Sequence, residues 1–150
     1  MKSAMYEQDF LLWTEQQANA IRTNNLAALD KEGLLEELES MGNSERKALK
    51  SALRNVLAHL LKFQFSSAEA PRAGWIDEIQ RFREDIEFQL DDEPSLKHYI
   101  DNLFLSAWPQ AKSSAERSFS KYKETPAVLP KNCPYSLAQV MNFDYLPERA

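Results

Sequence analysis

Hydrophobic residues recur at helical spacing along most of the chain. Between Met5 and Thr23, one set of positions repeats every three or four residues: Tyr6, Phe10, Trp13, Gln17 and Ile21. This spacing is typical of one face of an α-helix. The most regular apolar pattern lies between Ser44 and Phe65, at Leu49, Ala52, Leu53, Val56, Leu57, Leu60 and Leu61. We therefore predict a helix in each segment and expect the one at 44–65 to be the most buried element.

Another helix is predicted between these two segments. Asp30 has the side chain of a good N-cap, and Glu32 follows in the first turn, where the helix dipole favours negative charge. The apolar stripe of this helix consists of Leu34, Leu35, Leu38 and Met41. Gly42 can adopt the left-handed conformation that ends many helices, and Asn43 or Ser44 can cap the next helix. The pattern therefore predicts an antiparallel helical hairpin about Gly42.

Prolines divide the second half of the chain. Pro71 belongs to a predicted loop, and an amphipathic helix is predicted over about residues 75–92. Pro94 fits the first turn of a further helix. Pro109 is expected to kink or interrupt that helix, because proline cannot donate a hydrogen bond to the carbonyl of Leu105.

The last segment has a different character. Pro126, Pro130 and Pro134 fall within nine residues, which excludes a long helix and favours an extended strap. Ser136 is a candidate cap for one short helix, Leu137 to Met141. We predict that this tail docks on the rest of the molecule.

Composition supports an all-α fold class. The chain has 19 Leu and 17 Ala but only 11 Val, Ile and Thr together, and its 150 residues suit one ordinary domain. We predict a single domain over residues 1–150. It consists of a bundle of four to five main helices over about 5–123, a proline-rich docked tail over about 124–150 and a short terminal helix.

The net charge of −5 conceals an alternation along the chain. Residues 1–42, 43–70, 71–93 and 94–150 carry −5, +3, −5 and +2. Such blocks suit helices that neutralise one another, and they argue against a nucleic-acid partner, which usually requires a dominant basic face. We predict no membrane span, because no apolar run approaches 18 residues. Cys133 is the single cysteine, so an internal disulfide is excluded. We predict a structural role for its thiol and a location in the reducing cytoplasm.

Several short motifs follow one another in a specific order and spacing. They are Tyr6-x-x-Asp9-Phe10-x-x-Trp13, Asp30-x-Glu32-x-x-Leu35-Glu36-Glu37-Leu38-Glu39-x-Met41-Gly42-x-Ser44-Glu45, His59-Leu60-Leu61-Lys62, Trp75-x-x-x-Ile79-x-x-x-Arg83-x-x-Ile86, Pro94-Ser95-Leu96, Cys133-Pro134-Tyr135-Ser136-Leu137 and Phe143-x-x-Leu146-Pro147. Together they resemble the bacterial domain-of-unknown-function family numbered twenty-nine. The resemblance implies a bacterial, often cyanobacterial, helical protein, with no established activity, substrate or cofactor. The chain departs from the family pattern at Gly33, which weakens a helical turn by about 1 kcal/mol relative to alanine, and at Pro109.

The densest group of carboxylates lies in the second predicted helix. Glu32, Glu36 and Glu39 share a face at positions i, i+4 and i+7, and facing carboxylates in a helical bundle can hold divalent metals. The predicted hairpin instead sets Glu36, Glu37 and Glu39 opposite Arg46, Lys47 and Lys50. Salt bridges with those residues are therefore favoured, and no metal site is predicted.

His59 is the other candidate for chemistry. It adjoins the apolar stripe of the most regular helix, where a partly buried histidine with a structural role is the simplest interpretation. The alternative hypothesis is a pocket in which His59, Asp9 and Arg83 meet. No nucleophile motif accompanies these residues, so no catalytic residue is assigned.

These observations favour a non-enzymatic helical interaction module. Its partner is an unknown protein or a second copy of the chain, and no cofactor is expected. The alternative is a small enzyme or a bundle that binds a ligand or metal through the polar residues around His59 or the carboxylates from Glu32 to Glu39.

Overall fold

The computed structural model describes residues 1–124 and 128–150, and all regular structure within those ranges is helical. The predicted all-α class is therefore confirmed, and four of the six α-helices are long. They are α1 (Ala4–Gln8), α2 (Phe10–Arg22), α3 (Lys31–Phe65), α4 (Arg72–Asp92), α5 (Ile100–Lys121) and α6 (Leu137–Met141). Short 3-10 turns lie at Leu26–Ala28 and Pro94–His98.

The chain divides into two units, residues 1–45 and residues 46–150. Helix α3 contributes its first 15 residues to the first unit and its remainder to the second. The prediction of a single domain over residues 1–150 stays a prediction.

The first predicted helix is divided in two at Asp9. The Asp9 carboxylate accepts a hydrogen bond from the backbone amide of Leu12 at 3.0 Å, so it caps α2, while its own backbone has an extended φ of −147° and ends α1. Trp13 is buried and contacts the rings of Tyr6 and Phe10, with centroid distances of 4.8 and 5.5 Å. Side-chain capping and this aromatic cluster together position the two helices.

Helix α3 is continuous through Gly42, so the predicted hairpin is wrong. Gly42 is helical, and no glycine in the described part of the chain has a positive φ. Ser44 lies within the helix, where its hydroxyl donates to the carbonyl of Ser40 at 3.1 Å instead of capping a new helix. A helical glycine costs only about 1 kcal/mol, which a helix of 35 residues tolerates.

The core of the second unit is built around the second part of α3. As predicted, the apolar stripe of that segment is fully buried, and it packs with side chains from α4 and α5. These include Leu53, Val56, Leu57, Leu60, Leu61, Ile79, Ile86, Phe104, Ala111, Ala115 and Phe119. The predicted periodicity therefore identifies the main hydrophobic surface of residues 46–65 correctly.

Pro109 lies inside α5 without interrupting it, so of the two predicted outcomes, a kink or an interruption, the interruption does not occur. Leu105 would have accepted the missing backbone hydrogen bond, and its side chain is 68% exposed. Water can therefore reach this side of the helix and replace the lost donor. Pro94 begins a 3-10 turn instead of α5, which starts at Ile100.

The C-terminal segment contacts the core of the second unit through apolar anchors and backbone hydrogen bonds. Leu129, Tyr135 and Val140 are buried in that core. Ser136 caps α6 as predicted, and the Gln139 side chain bonds back to the amide of Ser136 to complete a capping box. Pro126, part of the predicted strap, lies outside the described residues.

Candidate functional site

The carboxylate of Asp30 is the centre of a polar network in the first unit. One oxygen accepts from the amide of Gly33 at 3.0 Å, which confirms Asp30 as the N-cap of α3. The other accepts from the amide of Ser3 at 2.9 Å and from Nε1 of Trp13 at 3.0 Å. The amide of Asp30 itself donates to Oε1 of Gln17 at 2.7 Å. These hydrogen bonds, chiefly those from Gly33 and Ser3, hold the pKa of Asp30 below its usual value.

Gly33 allows the close approach on which this network depends. A Cβ atom at this position would lie 2.6 Å from Oδ2 of Asp30 and 2.9 Å from Cζ2 of Trp13. The absence of a side chain at Gly33 therefore has a steric reason. We infer a structural role for the Asp30 network, since both oxygens of the Asp30 carboxylate accept hydrogen bonds from groups of the same unit.

The acidic face of α3 pairs with the N-terminal segment of the first unit. Glu32 contacts the N-terminal ammonium at 2.5 Å, Glu36 forms a salt bridge with Lys2, and Glu37 accepts from the hydroxyl of Tyr6 at 2.5 Å. The last bond raises the pKa of Tyr6 to about 12. The predicted salt bridges of the acidic face with Arg46, Lys47 and Lys50 required a hairpin about Gly42. Because α3 is continuous through Gly42, that hairpin does not form.

The carboxylates Glu32, Glu36 and Glu39 are not gathered into a metal centre. Among residues 1–124 and 128–150, no group of three or more His, Cys, Asp or Glu side chains is arranged to hold a metal ion. Glu32 and Glu36 are instead neutralised by the ammonium groups of Met1 and Lys2.

The imidazole of His59 is half-buried against α4. Its Nδ1 lies 2.7 Å from the carbonyl of Asn55, and its ring centroid is 5.7 Å from that of Phe82. Burial, reinforced by the nearby charge of Lys62, lowers the pKa of His59. Because a carbonyl only accepts, Nδ1 carries the proton in the neutral ring.

Arg83 has a structural set of partners. Its side chain is fully buried, and it donates from Nε to the carbonyl of Val140 at 2.7 Å and from Nη2 to that of Gln139 at 3.1 Å. Burial lowers the pKa of Arg83. His59 and Arg83 thus contact different groups, and Asp9 caps α2 in the first unit. The pocket of His59, Asp9 and Arg83 stays a hypothesis.

The second unit contains a cavity of about 700 Å³ that the sequence reasoning missed. We call it the cationic cavity. Its lining comes from α3, α4, α5 and the segments next to them: Lys62, Ala68, Pro71, Trp75, Ser114, Arg117, Ser118, Lys121, Tyr122 and Glu124. The repeats Ser114–Ser118 and Arg117–Lys121, each at i and i+4, were the only local signal for this surface.

Aromatic rings accompany two of the cations of this cavity. The Lys62 ammonium lies 5.7 Å from the ring centroid of Trp75, and the Lys121 ammonium lies 5.4 Å from that of Tyr122. Burial lowers the pKa of Lys62. The carboxylate of Glu124 accepts from the hydroxyl of buried Ser66 at 2.5 Å.

The first unit exposes an unusual amount of apolar surface. In the part of the chain that the structure describes, fourteen large hydrophobic side chains are exposed, and nine of them belong to residues 1–45. Three lie on one side of α3, and we call them the apolar face: Leu35, Leu38 and Met41, which are 56%, 64% and 64% exposed. The apolar stripe predicted for this segment is therefore present, but it is largely uncovered.

Comparison with models of known protein families gives a match, which covers most of the chain. A family model described as "Domain of unknown function DUF29" matches residues 5–146. No curated protein and no solved structure gives a significant match. None of the helices in the described residues is both long enough and apolar enough to cross a bilayer.

Proposed function

Because this chain belongs to the DUF29 family, whose description assigns no activity, we propose a function from its geometry: a non-enzymatic module that binds a protein partner. The observation that carries this proposal is the uncovered apolar face of α3. Soluble monomers rarely expose contiguous apolar patches larger than a few hundred Å², and larger patches usually mark interaction sites. Helical partners commonly insert residues at i, i+3 and i+4 into such surfaces.

The first unit also has little core of its own. Its 45 residues bury only Trp13, Gln17, Ala20 and Gly33, and Trp13 alone among them is a large hydrophobic residue. Units of about this size usually need additional stabilisation, such as a bound partner. Covering the apolar face would remove exposed hydrophobic area from water and so supply this stabilisation.

Charge indicates the chemistry of the partner. Residues 1–45 contain nine acids and three bases, and the exposed carboxylates of Glu39 and Glu45 border the apolar face. Glu39 is four residues after Leu35, and Glu45 is four residues after Met41, so each lies beside the face on α3. We propose a helical partner segment whose apolar side is flanked by lysine or arginine. A second copy of the same acidic face would be repelled.

Defined peptides test this proposal directly. Two labelled amphipathic helices with the same leucine face, one flanked by lysines and the other by glutamates, are titrated with the full chain by fluorescence anisotropy. We expect the lysine peptide to bind at least about tenfold more tightly at low salt, with a difference that shrinks as salt screens the charges. Replacing Leu38 and Met41 with glutamine should weaken binding of the lysine peptide.

A matched control separates the apolar face from general hydrophobicity. Leu105 on α5 is as exposed as Leu38 but belongs to the second unit, so Leu105→Gln should leave peptide binding unchanged. Equal losses in both variants, or no peptide binding, would contradict the proposal. A dimer in light scattering that Leu38→Gln and Met41→Gln dissolve would assign the face to self-association instead.

The proposal includes the cytoplasm of a bacterium as the setting, which the family resemblance suggests. A free, half-buried thiol at Cys133 supports a reducing compartment. Fractionation of a bacterium that encodes the chain, with detection by an antibody, tests this part. Recovery in an oxidising or membrane fraction would contradict it.

A further inference from the structure

We propose that the cationic cavity of the second unit binds a nucleotide, with the base against Trp75 and Tyr122 and the phosphates at Arg117 and Lys121. The lining combines aromatic rings with cationic and hydroxyl groups within one space of about 700 Å³, a size typical of sites for small ligands. Planar bases stack on aromatic side chains, and arginine and lysine bind phosphate oxygens.

A second cavity extends the phosphate side of the site. It also measures about 700 Å³ and shares Ser114 and Arg117 with the first, while adding Arg54 from α3. Arg117 therefore lies where the two cavities adjoin, with its Nη1 donating to the Ser113 hydroxyl at 2.8 Å. The triphosphate of a bound nucleotide would then extend from the first cavity, at Lys121 and Arg117, into the second cavity towards Arg54.

The charge balance of the first cavity favours an anion. Three cationic side chains line it, against the single carboxylate of Glu124, in a chain whose net charge is −5. This carboxylate also accepts a hydrogen bond from the hydroxyl of Ser66. Lys62 is half-buried beside Trp75, where burial lowers the pKa of its ammonium and the charge of Glu78 offsets only part of that effect. An incoming phosphate would compensate that ammonium.

Binding of ATP, GTP, CTP and UTP to the full chain is measured by isothermal titration calorimetry, beside the four corresponding nucleosides and inorganic triphosphate. We expect at least one nucleotide to bind, and to do so more tightly than either of its parts. Arg117→Gln and Tyr122→Ala should each weaken that nucleotide by about tenfold, since both residues are exposed and their loss spares the core. Glu124→Gln should tighten binding by removing the opposing charge.

Lys97→Gln is the matched charge control, because Lys97 is exposed in the turn Pro94–His98 and does not line either cavity. It should leave the nucleotide affinity unchanged, and melting curves confirm that all variants are folded. The proposal is overturned if no nucleotide binds, or if triphosphate alone binds as tightly. Equal losses in Lys97→Gln and Arg117→Gln would also overturn it. None of these results bears on peptide binding at the apolar face of α3.

Discussion

The backbone of Gly33 and the indole of Trp13 donate to the two carboxylate oxygens of Asp30, each at 3.0 Å. This arrangement leaves no space for a side chain at Gly33, because its Cβ would be 2.6 Å from Asp30 Oδ2. We expect Gly33→Ala to destabilise the protein by about 1–2 kcal/mol, since the steric cost of overpacking exceeds the gain of about 1 kcal/mol in helix propensity. Urea unfolding followed by circular dichroism measures the change.

Gly74 is the matched control for this substitution. It lies in the first turn of α4, and a Cβ there meets nothing within 4 Å. Gly74→Ala should therefore raise the free energy of unfolding by up to about 1 kcal/mol. Equal effects of the two substitutions would show that the network around Asp30 imposes no steric requirement.

The Asp30 network also predicts a pH dependence. The pKa of Asp30 is lowered in the folded state from its ordinary value of 3.8, so the unfolded state takes up a proton first as the pH falls. The stabilisation is fully present above about pH 4 and is lost as the pH falls through the folded pKa. Asp30→Asn should lower stability at neutral pH and reduce its loss between pH 5 and pH 2. Urea titrations at fixed pH values test this, and an unchanged pH profile would contradict it.

We expect the side chain of Arg83 to stabilise the fold by holding α6 against α4. Arg83→Ala would leave the buried carbonyl of Val140 and the partly buried carbonyl of Gln139 without a charged donor, and we expect it to cost about 3 kcal/mol or more. Hydrogen exchange should accelerate in α6 before the rest of the second unit. Arg81→Ala removes an exposed pair with Glu78 on the same helix and should cost less than about 1 kcal/mol. A similar small effect of both substitutions would contradict the assigned role.

Rules based on residues close in sequence predicted the features that depend only on such residues, namely helical periodicity and N-capping. The stripe that includes Leu53 and Leu60 repeats at helical spacing, and Asp30 has the position and side chain of an N-cap, so both were identified. Gly42 was misread because a glycine that ends a helix and one that continues it look alike in sequence. Only the backbone φ distinguishes them. The penalty for a helical glycine is too small to decide the question.

Tertiary proximity was the part that could not be predicted. Lys62, Trp75 and Arg117 lie on three different helices, and nothing in their individual surroundings indicates that they line one cavity. In the same way, the bond from Trp13 to Asp30 spans 17 positions, and the bond from Arg83 to Val140 spans 57. Such contacts depend on how helices pack, which hydrophobic periodicity alone does not specify.

The last test concerns the pH dependence that the burial of His59 gives to the stability of the fold. Burial lowers its pKa in the folded state below the ordinary 6.5, so protonation favours unfolding. Stability should therefore be highest above about pH 6.5 and decrease as the pH falls below it. His59→Gln should reduce this decrease between pH 7 and pH 5 in thermal melts, whereas His98→Gln, at an exposed position, is the control. An equal effect of the two substitutions would contradict the assignment to His59. NMR titration of the His59 ring gives the direction of the pKa shift independently.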